Sequence, residues 1–310
     1  MTAPPLELTL GPLFFHWPED RLDAFYGRIA DEAPVDRVYV GEVVCGKRAP
    51  LIDRALARAA ARLEAAGKTV VWSSLSLPAN RRDRTATAGL VAGAPDLLEI
   101  NDIGGLTGRR DGPFVAGPFL NVYNEAAAGA LAALGCVRLC PPVELALPDV
   151  RTIARALPAL QIELFAFGRA PLALSGRCYH ARDAGLQRDS CRFVCDRDPD
   201  GMAVSTLDGQ EFLAVNGVQT LSHGVHLAAL PPAVLRDIGV TALRLSPHTV
   251  DMVKVAGAFR DLLDDRIGPD DLTALLREFG LPGELVSGYL AGAPGCRPAA
   301  PADRPVAFAS

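Results

Sequence analysis

What this 310-residue chain lacks narrows its chemistry first. It has no surplus of basic charge: 31 Lys and Arg stand against 36 Asp and Glu, a formal net charge of −5. Bulk nucleic-acid binding usually leaves a basic surface, so that class is disfavoured. It has no long apolar run. The most apolar window, AAAGALAALGCV from Ala126, falls short of the roughly 20 residues that cross a bilayer. No basic region precedes the apolar stretch of MTAPPLELTLGPLFF, so no secretory signal is expected and a cytoplasmic location is. No G-x-G-x-x-G follows the first strand-like segment, which argues against a dinucleotide-binding sheet. Neither H-E-x-x-H nor G-x-S-x-G occurs, so the usual marks of zinc peptidases and serine hydrolases are missing.

What is present alternates. Strand-like runs begin at Leu6 (LELTLGPL), Val35 (VDRVYVGE), Lys68 (KTVVWSS), Asp96 (DLLEIND), Pro113 (PFVAGPFLNVYN), Val137 (VRLCPP), Gln161 (QIELFAFG) and Thr241 (TALRLSP). Helical patterns lie between several of them: PEDRLDAFYGRIA from Pro18, RAPLIDRALARAAARLEAAG from Arg48, NEAAAGALAALG from Asn124, VRTIARALP from Val150 and TVDMVKVAGAFRDLLDD from Thr249. Apolar strands alternating with helices predict a parallel sheet covered by helices. The length and repeat predict a (β/α)8 TIM-like barrel, incomplete or distorted at most, as one domain over residues 1–292. The pattern breaks over about 177–228, which reads as a Cys-, Asp- and Gly-rich insertion with a hairpin at Asp208-Gly209. Residues 293–310 form a Pro/Ala-rich tail expected to be poorly ordered.

Seven cysteines in a reducing compartment point to metal binding or catalysis rather than disulfides. Cys178, Cys191 and Cys195 are spaced C-x12-C-x3-C, and Cys45 follows a strand far upstream beside Lys47 and Arg48. If DSCRFVC is helical, Cys191 and Cys195 share a face at i and i+4. Cys45 and Cys178 follow strand ends, and a barrel gathers functional groups at its C-terminal rim. Four thiolates, three of them clustered, suit an iron–sulfur cube. Structural zinc is the rival, although its ligands usually pair at shorter spacing. Arg177, Arg192 and Arg197 flank the later three; such cations either favour thiolate or are simply solvated. Cys136 and Cys140 fall on one strand, too far apart for one site, and read as small buried hydrophobes; Cys296 lies in the tail.

GRCYHARDAGLQRDSCRFVCDRDPDGM, taken with VYVGEVVCGKR and IELFAFGRAPLALSGRC, resembles the collagenase-like peptidase (U32-type) family, in its branch serving oxygen-independent ubiquinone biosynthesis. The resemblance spans roughly Leu6 to Ala291. It implies a 4Fe–4S cluster held by Cys45, Cys178, Cys191 and Cys195. It also implies a heterodimer with a homologous UbiU-like subunit, and a role in anaerobic hydroxylation of a ubiquinone precursor. The alternative is a barrel hydrolase or peptidase with a structural four-cysteine zinc site.

Other polar residues are weighed as structural or mouth-lining. Glu42, Asn101, Asp102 and Asn121 are expected to be structural polar groups, and Glu163 fits either role. His180 and His223 are possible proton carriers. Arg81, Arg82 and Arg84 in NRRDRTA read as a solvated loop, and His248 precedes a helix start that could attract an anion.

Overall fold

Residues packed on the helices alternate with lumen-facing ones along eight strands, and tilt and stagger of such strands are what close a sheet into a tube. The computed structural model describes residues 5–93, 97–109 and 112–299. Strands β1 (Glu7–Leu10), β2 (Arg37–Val40), β3 (Thr69–Ser73), β4 (Leu98–Ile100), β5 (Phe114–Ala116), β6 (Cys136–Leu139) and β7 (Gln161–Leu174) pair in parallel and in chain order. Three antiparallel strands follow: β8 (Met202–Ser205), β9 (Glu211–Asn216) and β10 (Gln219–Leu227). Strand β11 (Val240–Leu245) then pairs in parallel with both β7 and β1, which closes an eight-stranded barrel. Asp96, at the start of one predicted strand, lies outside the described residues.

Helices cover the outside. These are α1 (Glu19–Glu32), α2 (Ala49–Ala65), α3 (Arg81–Gly93), α4 (Glu125–Ala133) and α5 (Leu147–Ala156), then the short α6 (Tyr179–Asp183), α7 (Pro232–Ile238), α8 (Met252–Leu263) and α9 (Pro269–Glu278). The main core lies between sheet and helices, with Leu8, Val38, Leu98, Ile162 and Leu243 fully buried there. A two-residue strand, β12 (Leu285–Val286), pairs with β10. Beyond it the chain turns back: Ala299 N–H donates to Leu285 O at 2.9 Å. Residues 293–299 are therefore folded against the body, and 300–310 lie outside the described residues.

The lumen is ionic. Arg244 on β11 donates through Nε to Glu163 on β7 at 2.9 Å and through Nη1 to Glu99 on β4 at 2.5 Å. Strands β11 and β4 lie on opposite sides of the barrel, so this contact runs across the axis. Tyr39 and Thr9 add hydroxyl donors to Glu163 at 2.6 and 2.5 Å, and Arg138 reaches it at 3.4 Å. Burial alone would push the Glu163 carboxyl up, but Arg244 and Arg138 hold it at about 2. Glu163 is thus an ionised strut of the barrel interior.

Three expectations change here. The NRRDRTA segment opens α3 rather than a loop. Asn80 caps it, its Oδ1 accepting Asp83 N–H at 2.9 Å, and Asp83 is buried while Arg81, Arg82 and Arg84 point outward. The helix after β11 starts at Met252, where the Asp251 carboxylate already accepts Val253 and Lys254 N–H. His248 turns away from it: its Nδ1 meets Asp200 Oδ1 at 3.0 Å and its Nε2 accepts Arg169 N–H. DSCRFVC is not one helix. Arg192 and Phe193 take φ of 51° and 55°, which splits it into two 3-10 turns.

Candidate functional site

The first contribution comes from the loop after β2. Glu42 folds back on that loop, its Oε1 accepting Val44 and Cys45 N–H, both at 2.8 Å. Gly41 makes the reversal possible. Its φ is +145°, and a Cβ there would collide with Ser73 O. The loop ends as Arg48 N–H donates to Cys45 O at 2.8 Å, and α2 begins.

The second contribution comes from the chain beyond β7. Ser175 N–H donates to Val218 O and Tyr179 N–H to Gly217 O, both at 2.8 Å, which stitches the Cys178 segment to the β9–β10 turn. His180 is buried behind it. Gly217 N–H donates to its Nδ1 at 2.9 Å, so Nε2 is the protonated nitrogen and faces Asp198 Oδ2 at 3.1 Å. Burial lowers the pKa of this imidazole, with Asp198 opposing and Arg48 reinforcing. Gln187 leads into the Arg188–Ser190 turn, Cys191 follows it, and Cys195 sits in the Val194–Arg197 turn.

These two parts of the chain meet. Cys45, Cys178, Cys191 and Cys195 line one small cavity, together with Arg48, His180 and Phe193. Its free space is about 20 Å³, room for roughly one water. A larger group would therefore need the thiols to turn outward. Among the described residues no three His, Cys, Asp or Glu side chains could hold a metal ion as they stand. The donor chemistry nonetheless suits a thiolate-bound inorganic group: four sulfurs, a mainly apolar wall and a buried cation.

That cation is Arg48, 1% exposed. Its Nη1 donates to Phe14 O at 3.0 Å and its Nη2 to Asn216 Oδ1 at 2.7 Å. Burial raises the pKa of the Cys45 and Cys195 thiols, and Arg48 works against burial at both. Lys47 also lines the cavity and donates to Arg188 O at 2.6 Å. Arg177, Arg192 and Arg197 are exposed and line no part of it. The sequence pointed to Arg48 only as one of several flanking cations. Arg188, Asn216 and Gly217 carried no signal, because their closeness to Cys45 is purely tertiary.

The other cysteines stand elsewhere. Cys136 and Cys140 are buried in the main core, and burial pushes their thiols up to about 11 and about 12. His223 pairs with Glu211 at 3.0 Å, away from the four cysteines. At the C-terminal mouth of the barrel a separate groove of about 410 Å³ is lined by Asn101, Asp102, Asn121 and Tyr123 among others. Asp102 Oδ1 accepts Gly104 N–H at 2.9 Å, and Asn121 sits at φ 55° after a 3-10 turn.

The model of the family described as Peptidase family U32 matches residues 21–278, most of the chain. This chain belongs to peptidase family U32. Among solved structures, this U32 chain is similar to CdNal from Clostridium difficile in complex with mannosamine, with TM-score 0.48 and 10% identity over 89% of this chain and 81% of that one. It is also similar to the U32 peptidase Mk0906, with TM-score 0.44 and 11% identity over 80% of this chain and 95% of that one. No helix among the described residues is long and apolar enough to cross a membrane.

Proposed function

We propose that this U32 chain is a 4Fe–4S subunit required for oxygen-independent hydroxylation in ubiquinone biosynthesis. In this reading it resembles UbiV and works as a heterodimer with a homologous UbiU-like partner. One observation carries it: four cysteines from two distant stretches of chain line a single buried cavity. Cys45, Cys178, Cys191 and Cys195 would hold the cluster, whose chemistry is electron transfer. The chain's own residues prepare for four thiolates. Arg48 offsets their negative charge from within the fold, and Lys47 adds a second positive charge at the cavity wall. His180, fixed between Gly217 and Asp198, braces the Cys178 end.

Anaerobic purification tests the reading. The protein should be brown and carry about four iron and four acid-labile sulfide per chain. Cys45→Ala should lose both. Cys136→Ala should keep them, because Cys136 belongs to the main core and not to the cavity. A colourless protein holding zinc would overturn the proposal in favour of a structural zinc site.

A further inference from the structure

We propose that the cleft between helices α2 and α3 binds an organic ammonium ion, its charge held by Asp83 and Glu42 and its apolar body by the cleft walls. Asp83 lies in the first turn of α3 and is 5% exposed. Its Oδ2 accepts from Asn80 Nδ2 at 2.7 Å. Its Oδ1 accepts from no group among the described residues, and the carboxylate forms no ion pair with any of them. Buried carboxylates are ordinarily paired with a cation. Asp83 instead lines a cleft of about 330 Å³, within the range of small-molecule sites. Gly46 lets the β2–α2 loop pass beside Oδ1, since a Cβ there would collide with that oxygen.

Two more polar groups of the same cleft lack partners. Glu42 Oε1 is taken by Val44 and Cys45 N–H, but its Oε2 accepts from nothing among the described residues. Thr87 follows Asp83 by one helical turn and is 7% exposed, and its Oγ1 has no hydrogen-bond partner among the described residues. Buried polar groups without partners are rare in folded proteins, so their meeting at one cleft marks a place where a donor-rich group is expected to arrive. An ammonium brings three donors and no acceptor. A bare metal ion fits less well, because among the described residues no three His, Cys, Asp or Glu side chains converge on one point.

The rest of the cleft suits an apolar body. Leu56 from α2, Trp72 from β3, Leu75 beyond it and Leu90 from α3 line it. Among aromatic side chains an indole attracts a cation best. At the mouth stand Asp53 on α2 and Arg82 on α3, both exposed; burial raises the Asp53 carboxyl and Arg82 opposes it. Three carboxylates thus line the cleft against one guanidinium. Arg48, whose charge also acts on Glu42, faces the cysteine cavity instead. An anion is repelled by this balance, and a neutral ligand leaves Asp83 unpaired. The cleft shares no lining residue with the cysteine cavity, so an ammonium site here does not depend on the cluster proposed above.

The test uses the full chain with 2-phenylethylamine as probe and 2-phenylethanol as its uncharged control, titrated by calorimetry near neutral pH. The amine should bind saturably, one per chain, and the alcohol at least about tenfold more weakly. Asp83→Asn keeps an acceptor for Asn80 and should erase that preference by weakening the amine. Asp53→Lys and Arg82→Glu change exposed positions where folding is safe, so the melting temperature should hold in both. The first should weaken the amine at least about threefold and the second should tighten it, with the alcohol unmoved. These two variants decide the matter even if Asp83→Asn fails to fold. No saturable binding, equal binding of amine and alcohol, a folded Asp83→Asn that keeps the preference, or an amine affinity indifferent to both mouth substitutions would overturn the proposal.

Discussion

Arg48 shows how one side chain joins stability to chemistry. It is fully buried, it anchors the β9–β10 turn through Asn216, and it opposes the desolvation of two thiols. Replacing it with Met leaves Asn216 Oδ1 without that donor, and a buried acceptor stranded in this way costs about 1–3 kcal/mol. Urea unfolding of Arg48→Met should show a loss in that range. The Cys195 thiol should also alkylate more slowly at pH 8 in the cluster-free protein, because burial would then raise its pKa unopposed. Glu163 gives a second residue-scale expectation. Its folded pKa of about 2 lies below its ordinary 4.5, so its contribution is complete above 4.5 and fades as pH falls toward 2. Glu163→Gln should cost about 1.5–3 kcal/mol at pH 7, since it takes one carboxylate from Arg244 and Arg138 while leaving them Glu99 and Glu7, and should flatten the acid limb of the stability curve measured by denaturant titration. The sequence offered Arg48 only as one of several cations beside the cysteines, and Glu163 only as fitting a structural or a mouth-lining role. Glu163 meets Arg244 only because β7 and β11 are neighbours, and nothing near either residue announces the other.

At the scale of elements, the strands were legible because their apolar runs are bounded by Gly, Pro and polar clusters, and seven of the eight barrel strands fall within the predicted segments or at their edges. Strand β7 continues well past Gly168 to Leu174, pairing there with β10. Helix α3 escaped notice because its apolar face is slight. Its buried residues are Asp83, Thr87 and Val91, and Leu90 packs half-buried on the core. The usable signal was Asn80 three residues before Asp83, whose Oδ1 accepts Asp83 N–H while its Nδ2 donates to Asp83 Oδ2, a cap that the run of arginines concealed. The condition that DSCRFVC be helical fails for a different reason. Two consecutive non-glycine residues take left-handed φ, and no glycine marks the place. The two sulfurs still share a cavity, although the chain reaches it by turns rather than along one helix face. The β2–α2 loop supplies the prediction at this scale. Gly41→Ala forces a Cβ against Ser73 O at a φ unsuited to alanine, and thermal unfolding should report a loss of roughly 1–3 kcal/mol.

As a whole molecule, the barrel is sealed by β11, which bonds to both β1 and β7, so no strand is free to leave alone. The cysteine-bearing segment is tied to the same body: Trp17 Nε1 donates to Pro199 O at 2.8 Å. The chain has two tryptophans, Trp17 against that segment and Trp72 on β3, and together they sample both regions. Single-tryptophan variants made with Trp17→Phe and Trp72→Phe should therefore unfold with fluorescence midpoints that coincide with each other and with far-ultraviolet circular dichroism. A lower midpoint for the protein that retains only Trp17 would mean that the cysteine segment comes away before the barrel opens. The alternation of strands and helices made the closed parallel barrel legible in advance. The charged lumen was not, because its pairs join residues far apart in sequence, on neighbouring strands for Arg244 and Glu163 and across the barrel for Arg244 and Glu99.

The long interval between Cys45 and its three companions has a consequence for biosynthesis. About 150 residues separate Cys45 from Cys195, and at 5–20 residues per second a ribosome takes about 8–30 s to add them. Throughout that time the early thiol stands in the nascent chain without the rest of its pocket. If the pocket holds the cluster proposed above, that cluster must board after Cys195 has been made, and a cell short of iron would accumulate finished but empty chains rather than truncated ones.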